Sequence, residues 1–349
     1  MKRNTAALLA LAATAALTLS ACSSGSTPSA SGSASSGKLA ATVRIVSGGG
    51  DSFSDAAKYK AIELLQAEGV QVSVSNVADP AAALRAVVGG QSDVALLDPV
   101  EAVKAVANAN APVKYIGSMS QTTDYVILSL PQYTLKSLSG ATFGTAGAGT
   151  AGDVIASSAL TQSGVDMSTI KKVTVGGTSA RITAILSGQI DLAPVLAADA
   201  VPAVNTGKVK ILLNAGKVLG SYLQQGLIAS DTFIKDKATA QAVVSAFIDA
   251  QRWASQNESA YISTATANHL LGSLTAADAK AAYAQLKSSK IFATNGAICT
   301  TSVNDTLTHD YAVKGGLTKA GTPAYNKWVD PEFVKAYLSK NGKNKDGFC

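Results

Sequence analysis

Histidine occurs only twice in the 349 residues, aromatic residues make up 5% and charged residues 15%. His269 and His309 both fall in the C-terminal region. His309 has Asp305 one helical turn away but no third ligand in view to complete a metal site, so both histidines read as surface residues. No Gly-X-Ser-X-Gly elbow occurs, and Gly147-Ala148-Gly149-Thr150-Ala151-Gly152 lacks the lysine of a phosphate-binding loop. Lys and Arg are thinly spread and interleaved with Asp and Glu, so the net charge of +6 marks no nucleic-acid stripe. Loss of Lys2 and Arg3 with a leader leaves +4, and only Lys335 to Lys345 is locally basic, as a solvated terminal segment is. These absences argue against enzyme chemistry: no catalytic residue, metal site, cofactor or nucleic-acid partner is expected.

What is present begins with an export signal. Met1 to Cys22 has a basic start at Lys2-Arg3, an apolar stretch from Ala6 to Leu19 and small residues before a cut point, and it is too short and Ala-rich for a comfortable membrane span. Leu19-Ser20-Ala21-Cys22 resembles the lipobox of bacterial lipoproteins, which implies lipidation of Cys22. Residues 23–39 are a Ser/Gly-rich tether that cannot form a core, so the folded part starts near Ala40 and hangs from a membrane. In that oxidising setting Cys299 and Cys349 read first as a disulfide and otherwise as two free thiols.

The chain also repeats itself. Gly89-Gly90-Gln91-Ser92-Asp93 and Ser187-Gly188-Gln189-Ile190-Asp191 stand 98 positions apart, each after an amphipathic helix (81–88; 179–186) and before an apolar strand (94–97; 192–196). Around them strands alternate with helices: strands at 42–46, 70–77, 94–97 and 113–117, then 142–145, 172–175, 192–196 and 208–213. This spacing predicts two α/β lobes built of parallel βαβ units. Two further β-rich runs, 124–130 and 226–230, follow no helix and read as strands added after the chain crosses over. Beyond Thr232 helices are expected at 238–257, 259–271, 275–288 and 331–339.

The lipobox, the tether, the strand-Gly turn-helix openings and the paired Gly-Gln-X-Asp segments together resemble the substrate-binding proteins of bacterial ABC importers. The nearest subgroup is the one named for sulfonate, taurine, nitrate and thiamine-precursor binding, whose Leu-Lys-Gly-Lys-X-Ile-Gly segment falls where Leu138-Ser139-Gly140-Ala141-Thr142-Phe143-Gly144 stands here. The resemblance covers Thr42 to Ala254. It implies an α/β, type II periplasmic-binding-protein fold: two lobes, each a mostly parallel sheet flanked by helices, joined by two crossover segments near 118–123 and 214–222. Lobe 1 would comprise 40–122 plus 222–349, with the C-terminal helices packed on it, and lobe 2 would comprise 123–221. The implied protein is a monomeric, lipid-anchored, extracytoplasmic protein that closes on a small polar, zwitterionic or anionic solute and delivers it to the membrane subunits of an ABC permease. Its rivals are service to an ion-driven (TRAP-type) transporter, a sensor, or a surface lipoprotein enzyme. The thiamine-pyrimidine synthase relative of this family uses a cysteine cluster, which is absent here.

In parallel α/β sheets ligands sit beyond the carboxyl ends of the strands. That rule selects Gly49, Gly50, Asp51, Ser52, Asn76 and Asp98 in lobe 1, and Gly149, Thr150, Thr178, Ala197 and Asp199 in lobe 2. Gly149-Thr150 opens a helix and matches the family's anion-contacting turn; alternatively its glycine only permits a tight turn. Asp51, Asp98 and Asp199 point instead to a cationic group, although Asp98 and Asp153 equally suit helix capping or the first turn. Arg181 is either a ligand clamp or a solvent-facing helix residue. Phe53, Tyr59 and Tyr125 are the aromatics expected near the cleft, too few for a full aromatic cage.

Overall fold

A computed structural model describes residues 38–48, 51–77, 79–314 and 322–349. The leader with Cys22, the Ser/Gly segment to residue 37, Gly49 and Gly50 lie outside the described residues. The first series is β1 (Thr42–Gly48), α1 (Ala56–Ala67), β2 (Gln71–Val77), α2 (Pro80–Val88), β3 (Val94–Leu97), α3 (Pro99–Ala109) and β4 (Val113–Ser118). Next come β5 (Tyr125–Ser129), β6 (Thr142–Thr145), α4 (Ala151–Gln162), β7 (Lys171–Thr174), α5 (Thr178–Leu186), β8 (Leu192–Leu196), α6 (Ala197–Asn205), β9 (Lys210–Asn214) and α7 (Ala215–Leu219). The chain then returns through β10 (Gly226–Ser230) to α8 (Lys237–Gln256), α9 (Glu258–Ala267), α10 (Ala276–Ser288), α11 (Thr300–Lys314), α12 (Tyr325–Trp328) and α13 (Glu332–Asn341).

Two five-stranded sheets result, in the orders β2-β1-β3-β10-β4 and β7-β6-β8-β5-β9. The two orders are the same program run twice, with the last place but one filled in each case by a strand that arrives from the other sheet. β1 runs parallel to β2 and β3, as β6 does to β7 and β8. The inserted strands β10 and β5 run antiparallel to both their neighbours, because each enters its sheet from the far side. The sheets are therefore mixed rather than wholly parallel.

The repeated Gly-Gln-X-Asp explains how each unit closes. Gly90 and Gly188 both adopt φ +72°, a left-handed turn that a β-carbon would strain, and this ends α2 and α5. The N–H of Gln91 and of Gln189 then caps a carbonyl of the preceding helix, at Ala86 and Ala184 (2.8 and 2.9 Å). Asp93 and Asp191 lock the following strand to the first strand of the same sheet. Their carboxylates accept from Arg44 N and Thr142 N, each at 2.7 Å, while their own N–H groups donate back to the carbonyls of those residues. The echo is a helix stop joined to a strand-entry clamp.

Asp79-Pro80 and Asp98-Pro99 start α2 and α3 by one device. Proline gives up an N–H that would be unpaired at the first turn, and the aspartate accepts from the next N–H (Ala81, 2.9 Å; Val100, 2.8 Å). Along β5, Val126 and Leu128 pack on one face with Ile185 and Val195, while Ile127 packs on the other with Phe143 and Ile155, the period of two that a strand requires. The first sheet is covered by α8 and α13 through Val244, Phe247, Phe333 and Tyr337. The C-terminal helices reach beyond that sheet. α10 lies on α6 and α11 on α4, and a separate apolar cluster joins Phe53 and Ala57 to Ala198 and Val201 through Tyr261, Leu286 and Phe292. A disulfide joins Cys299 to Cys349.

Candidate functional site

At the carboxyl ends of β1, β3 and β8 lies a cavity of about 440 Å³, walled by residues of both sheets. Gly48, Leu97 and Asp98 contribute from the first sheet, and Gly149, Thr150 and Leu196 from the second. The two connecting segments supply the floor, with Ser120 and Asp124 on one and Gln224 and Gln225 on the other. Gln251 of α8 and Phe292 after α10 complete the wall.

Asp124 is the most deeply placed of its charged groups, at 2% exposure. Ser54 Oγ donates to its Oδ2, and Gln224 Nε2 donates to its Oδ1 at 2.9 Å. Burial raises its carboxyl above the usual carboxylate range, and these hydrogen bonds offset only part of the rise. Asp55, also buried and cavity-facing, accepts from the N–H and hydroxyl of Ser52 at 2.8 Å; burial lifts its carboxyl to about 6. Burial likewise pushes the Tyr125 phenol up to about 12, with the Asp124 charge adding to it. On the rim Lys104 donates to Glu101 at 2.9 Å.

Of the residues selected from strand ends, the structure brings Ser52, Asp98, Gly149 and Thr150 to the cavity. Asp98 does so while capping α3. Asp51, Asn76, Thr178, Ala197 and Asp199 do not line it. Asp51 is held by Lys58 Nζ, by Tyr59 OH at 2.6 Å and by Asn76 Nδ2 at 3.3 Å. Burial raises the Asp51 carboxyl, but the bonds from Lys58 and Tyr59 outweigh it and hold it low. Thr178 accepts from Arg181, and Ala197, fully buried, donates its N–H to the Asp124 carbonyl. Asp199, in the first turn of α6, is raised by burial and then by the nearby Asp124 charge.

Arg181 is buried, and neither solvent nor the cavity receives its guanidinium. Nε donates to Pro194 O at 2.8 Å, Nη1 to Gly176 O and Nη2 to Thr178 Oγ1 at 3.1 Å. Proline has no N–H for a ladder, and the β6–β8 pairing holds only at Phe143 and Leu192, so the arginine takes over a carbonyl near the point where the pairing ends. Gly149 N–H, at the turn expected to receive an anion, donates to Asp153 Oδ2 at 2.8 Å, and Lys172 pairs with that carboxylate at 2.7 Å.

Tyr125, Tyr222 and Phe292 are the aromatic residues of the wall. Phe53 instead packs edge-on against Tyr261 at 5.4 Å, and Tyr59 serves Asp51. Strand-end reasoning missed Ser54, Asp55, Glu101, Asp124, Gln224 and Gln251. The usable signal was position: Asp124 and Gln224 stand just before β5 and β10, and antiparallel strands bring their amino ends to the cleft. Among the described residues no histidine or cysteine lines the cavity, and no group of three His, Cys, Asp or Glu is placed to hold a metal ion.

A family model described as NMT1/THI5 like matches residues 60–260. No curated protein matches the chain in sequence. Solved structures do match in fold. The ligand binding component of an ABC-type import system from Staphylococcus aureus, with zinc bound, is 13% identical, with a TM-score of 0.68 over 84% of this chain and 98% of that one. The periplasmic aliphatic sulphonate binding protein SsuA from Escherichia coli is 17% identical, with a TM-score of 0.65 over 84% and 93%. A desulfurization enzyme, DSZB, is 13% identical, with a TM-score of 0.63 over 86% and 99%. Identities this low carry the fold alone, and the same architecture serves binding proteins and an enzyme.

Proposed function

This chain belongs to the NMT1/THI5-like family, and from that premise we propose that it is an extracytoplasmic solute-binding lipoprotein serving an ABC importer. Lobe 1 would be 40–122 with 222–349 and lobe 2 would be 123–221, the two closing on one small polar solute. The observation that carries this reading is the cavity: both sheets, both connections and the C-terminal helices wall a single space of about 440 Å³, within the size range of small-molecule sites. Closure is driven by contacts a solute makes only when both lobes touch it. The absence of histidine and cysteine from the wall favours capture over covalent chemistry. Cys22 would carry the lipid and hold the protein as a monomer at the outer face of the cytoplasmic membrane.

Thermal-shift screening across amino acids, sulfonates, amines and vitamin precursors tests capture. A true solute at about 100 times its Kd adds about 2.7 kcal/mol of stability. Flat melting curves, together with no small molecule released from protein purified from its source, would remove the reading. Membrane release of a Cys22→Ser variant tests the anchor, and the genes beside this one separate an ABC permease from an ion-driven partner or a receptor.

A further inference from the structure

We propose that the solute carries a positively charged nitrogen, an ammonium or amidinium, held among Asp124, Asp55 and Glu101 and against the rings of Tyr125, Tyr222 and Phe292. The inference rests on the solute-binding reading above and names the chemical class that reading leaves open.

The first observation is the sign of the wall. Among the described residues four carboxylates line the cavity, those of Asp55, Asp98, Glu101 and Asp124, against one cation, Lys104, which Glu101 already holds at 2.9 Å. Among the described residues no arginine lines it. Two groups suited to an anion are committed elsewhere: Arg181 to Pro194, Gly176 and Thr178, and the Gly149 N–H to Asp153. A sulfonate or nitrate placed here would face carboxylates of like charge, Asp124 and Asp55 among them. Burial raises the carboxyls of Asp124 and Asp55 above their usual range, and a cation placed beside them would favour their ionised forms.

The second observation is Gln251. It is 3% exposed, lines the cavity and has no hydrogen-bond partner among the described residues. Its side chain borders the cavity, and its carbonyl oxygen is an acceptor suited to an N–H of the solute. The third is the aromatic wall. Tyr125, Tyr222 and Phe292 border the same space as the carboxylates, and carboxylates beside aromatic rings are the pairing an organic cation uses. No three carboxylates among the described residues are close enough to ligate a metal, which favours an organic cation over a divalent ion.

The test is isothermal titration of the purified protein with two probe sets: putrescine, agmatine and choline, then ethanesulfonate, butyrate and nitrate. At least one cation should bind with Kd below about 1 mM. Asp124→Asn, which keeps the shape and one of the two acceptor oxygens, so that the Gln224 bond can persist while the Ser54 hydroxyl must turn to accept, should weaken it by about tenfold or more. Glu101→Gln at the rim should weaken it by about two- to fivefold. This second variant keeps the inference testable should Asp124→Asn not fold. Binding of anions with the cations silent overturns the inference and leaves the solute-binding reading standing. Cation binding that neither variant changes also overturns it. Silence of both sets overturns it too, and mass spectrometry of small molecules released from the purified protein then decides the broader reading. A released neutral or anionic solute preserves that reading, and an empty spectrum removes both.

Discussion

Gln224 grips Asp124 at two points: Nε2 donates to Asp124 Oδ1 at 2.9 Å, and Oε1 accepts from the Asp124 N–H at 3.1 Å. The two residues lie on the two segments that connect the sheets, so this clasp ties one connection to the other beneath the cavity. Thr123 Oγ1 adds a third bond, to Gln224 Oε1 at 2.6 Å. Gln224→Leu leaves a buried carboxylate short of a donor, and should lower stability at pH 7 by about 1–3 kcal/mol in urea denaturation. Gln224→Glu places a second carboxylate beside the first and should cost more. Stability in both variants within about 0.5 kcal/mol of wild type would mean the clasp contributes nothing net.

Asp55 sets a pH dependence whose sign is fixed by burial. Its carboxyl is lifted from 3.8 to about 6 in the folded protein, by burial first, against the opposing Ser52 hydrogen bonds and Lys58 charge. The folded state therefore holds the proton more tightly than the unfolded chain does. Its contribution is fully present below about pH 4 and is lost as pH rises through about 6. Asp55→Asn removes the titration while keeping an oxygen for the Ser52 N–H. Relative to that variant, the wild type should lose about 2 kcal/mol between pH 4 and 7. Asp124 and Asp199, also raised by burial, act with the same sign, and Asp51, held low by Lys58 and Tyr59, with the opposite one. All three are common to both proteins and drop out of the difference. Parallel stability curves would show that Asp55 is not desolvated.

The strands were legible because β-branched and apolar runs are punctuated by Gly, Asn and Asp, and because the same punctuation occurs twice. The four apolar residues Val94 to Leu97 are all buried, as a central strand requires. α6 was not legible, since Pro202 inside it removes a helical N–H and reads as a stop. α11 was not either: Thr300-Thr301-Ser302-Val303-Asn304 is poor in helix formers and shows no apolar stripe. Of the site, Asp98 and Gly149 follow from strand ends. Asp124, Gln224 and Gln251 do not, because they meet only after the chain has crossed twice between sheets and α8 has packed across the first. The rule that ligands lie past carboxyl ends needs its complement here: an antiparallel inserted strand presents its amino end.

The C-terminal tail is held at more than its disulfide. Gln121, on the first connection, donates to Asp346 O at 3.0 Å and accepts from Phe348 N at 2.8 Å, while Asn295 makes the same exchange with Asn344 (2.9 and 2.8 Å). Cys299 and Cys349 stand 50 positions apart, and a closed loop of that length stabilises by about 4 kcal/mol in the chain-entropy model. Cys349→Ser should show that loss in denaturant midpoints and expose the tail to carboxypeptidase. Reducing agent should reproduce it in the wild type and leave the variant unchanged. Two reactive thiols in denatured, unreduced protein would contradict the bond.

Arg181 separates a structural role from a ligand role, because both are plausible for a lone arginine near a cleft and they predict different readouts. Its guanidinium satisfies two carbonyls and a hydroxyl in a fork that a lysine cannot reproduce. Arg181→Met keeps the length but leaves Pro194 O and Gly176 O unpaired, so stability should fall by about 2–4 kcal/mol, and Arg181→Lys should recover only part of it. Neither change removes a group from the cavity wall, so solute affinity measured on the folded fraction should stay within about threefold of wild type. The inverse pattern, with wild-type stability and affinity reduced by more than about tenfold, would return Arg181 to the role of ligand clamp and require the second lobe to rotate its first helical turn toward the solute.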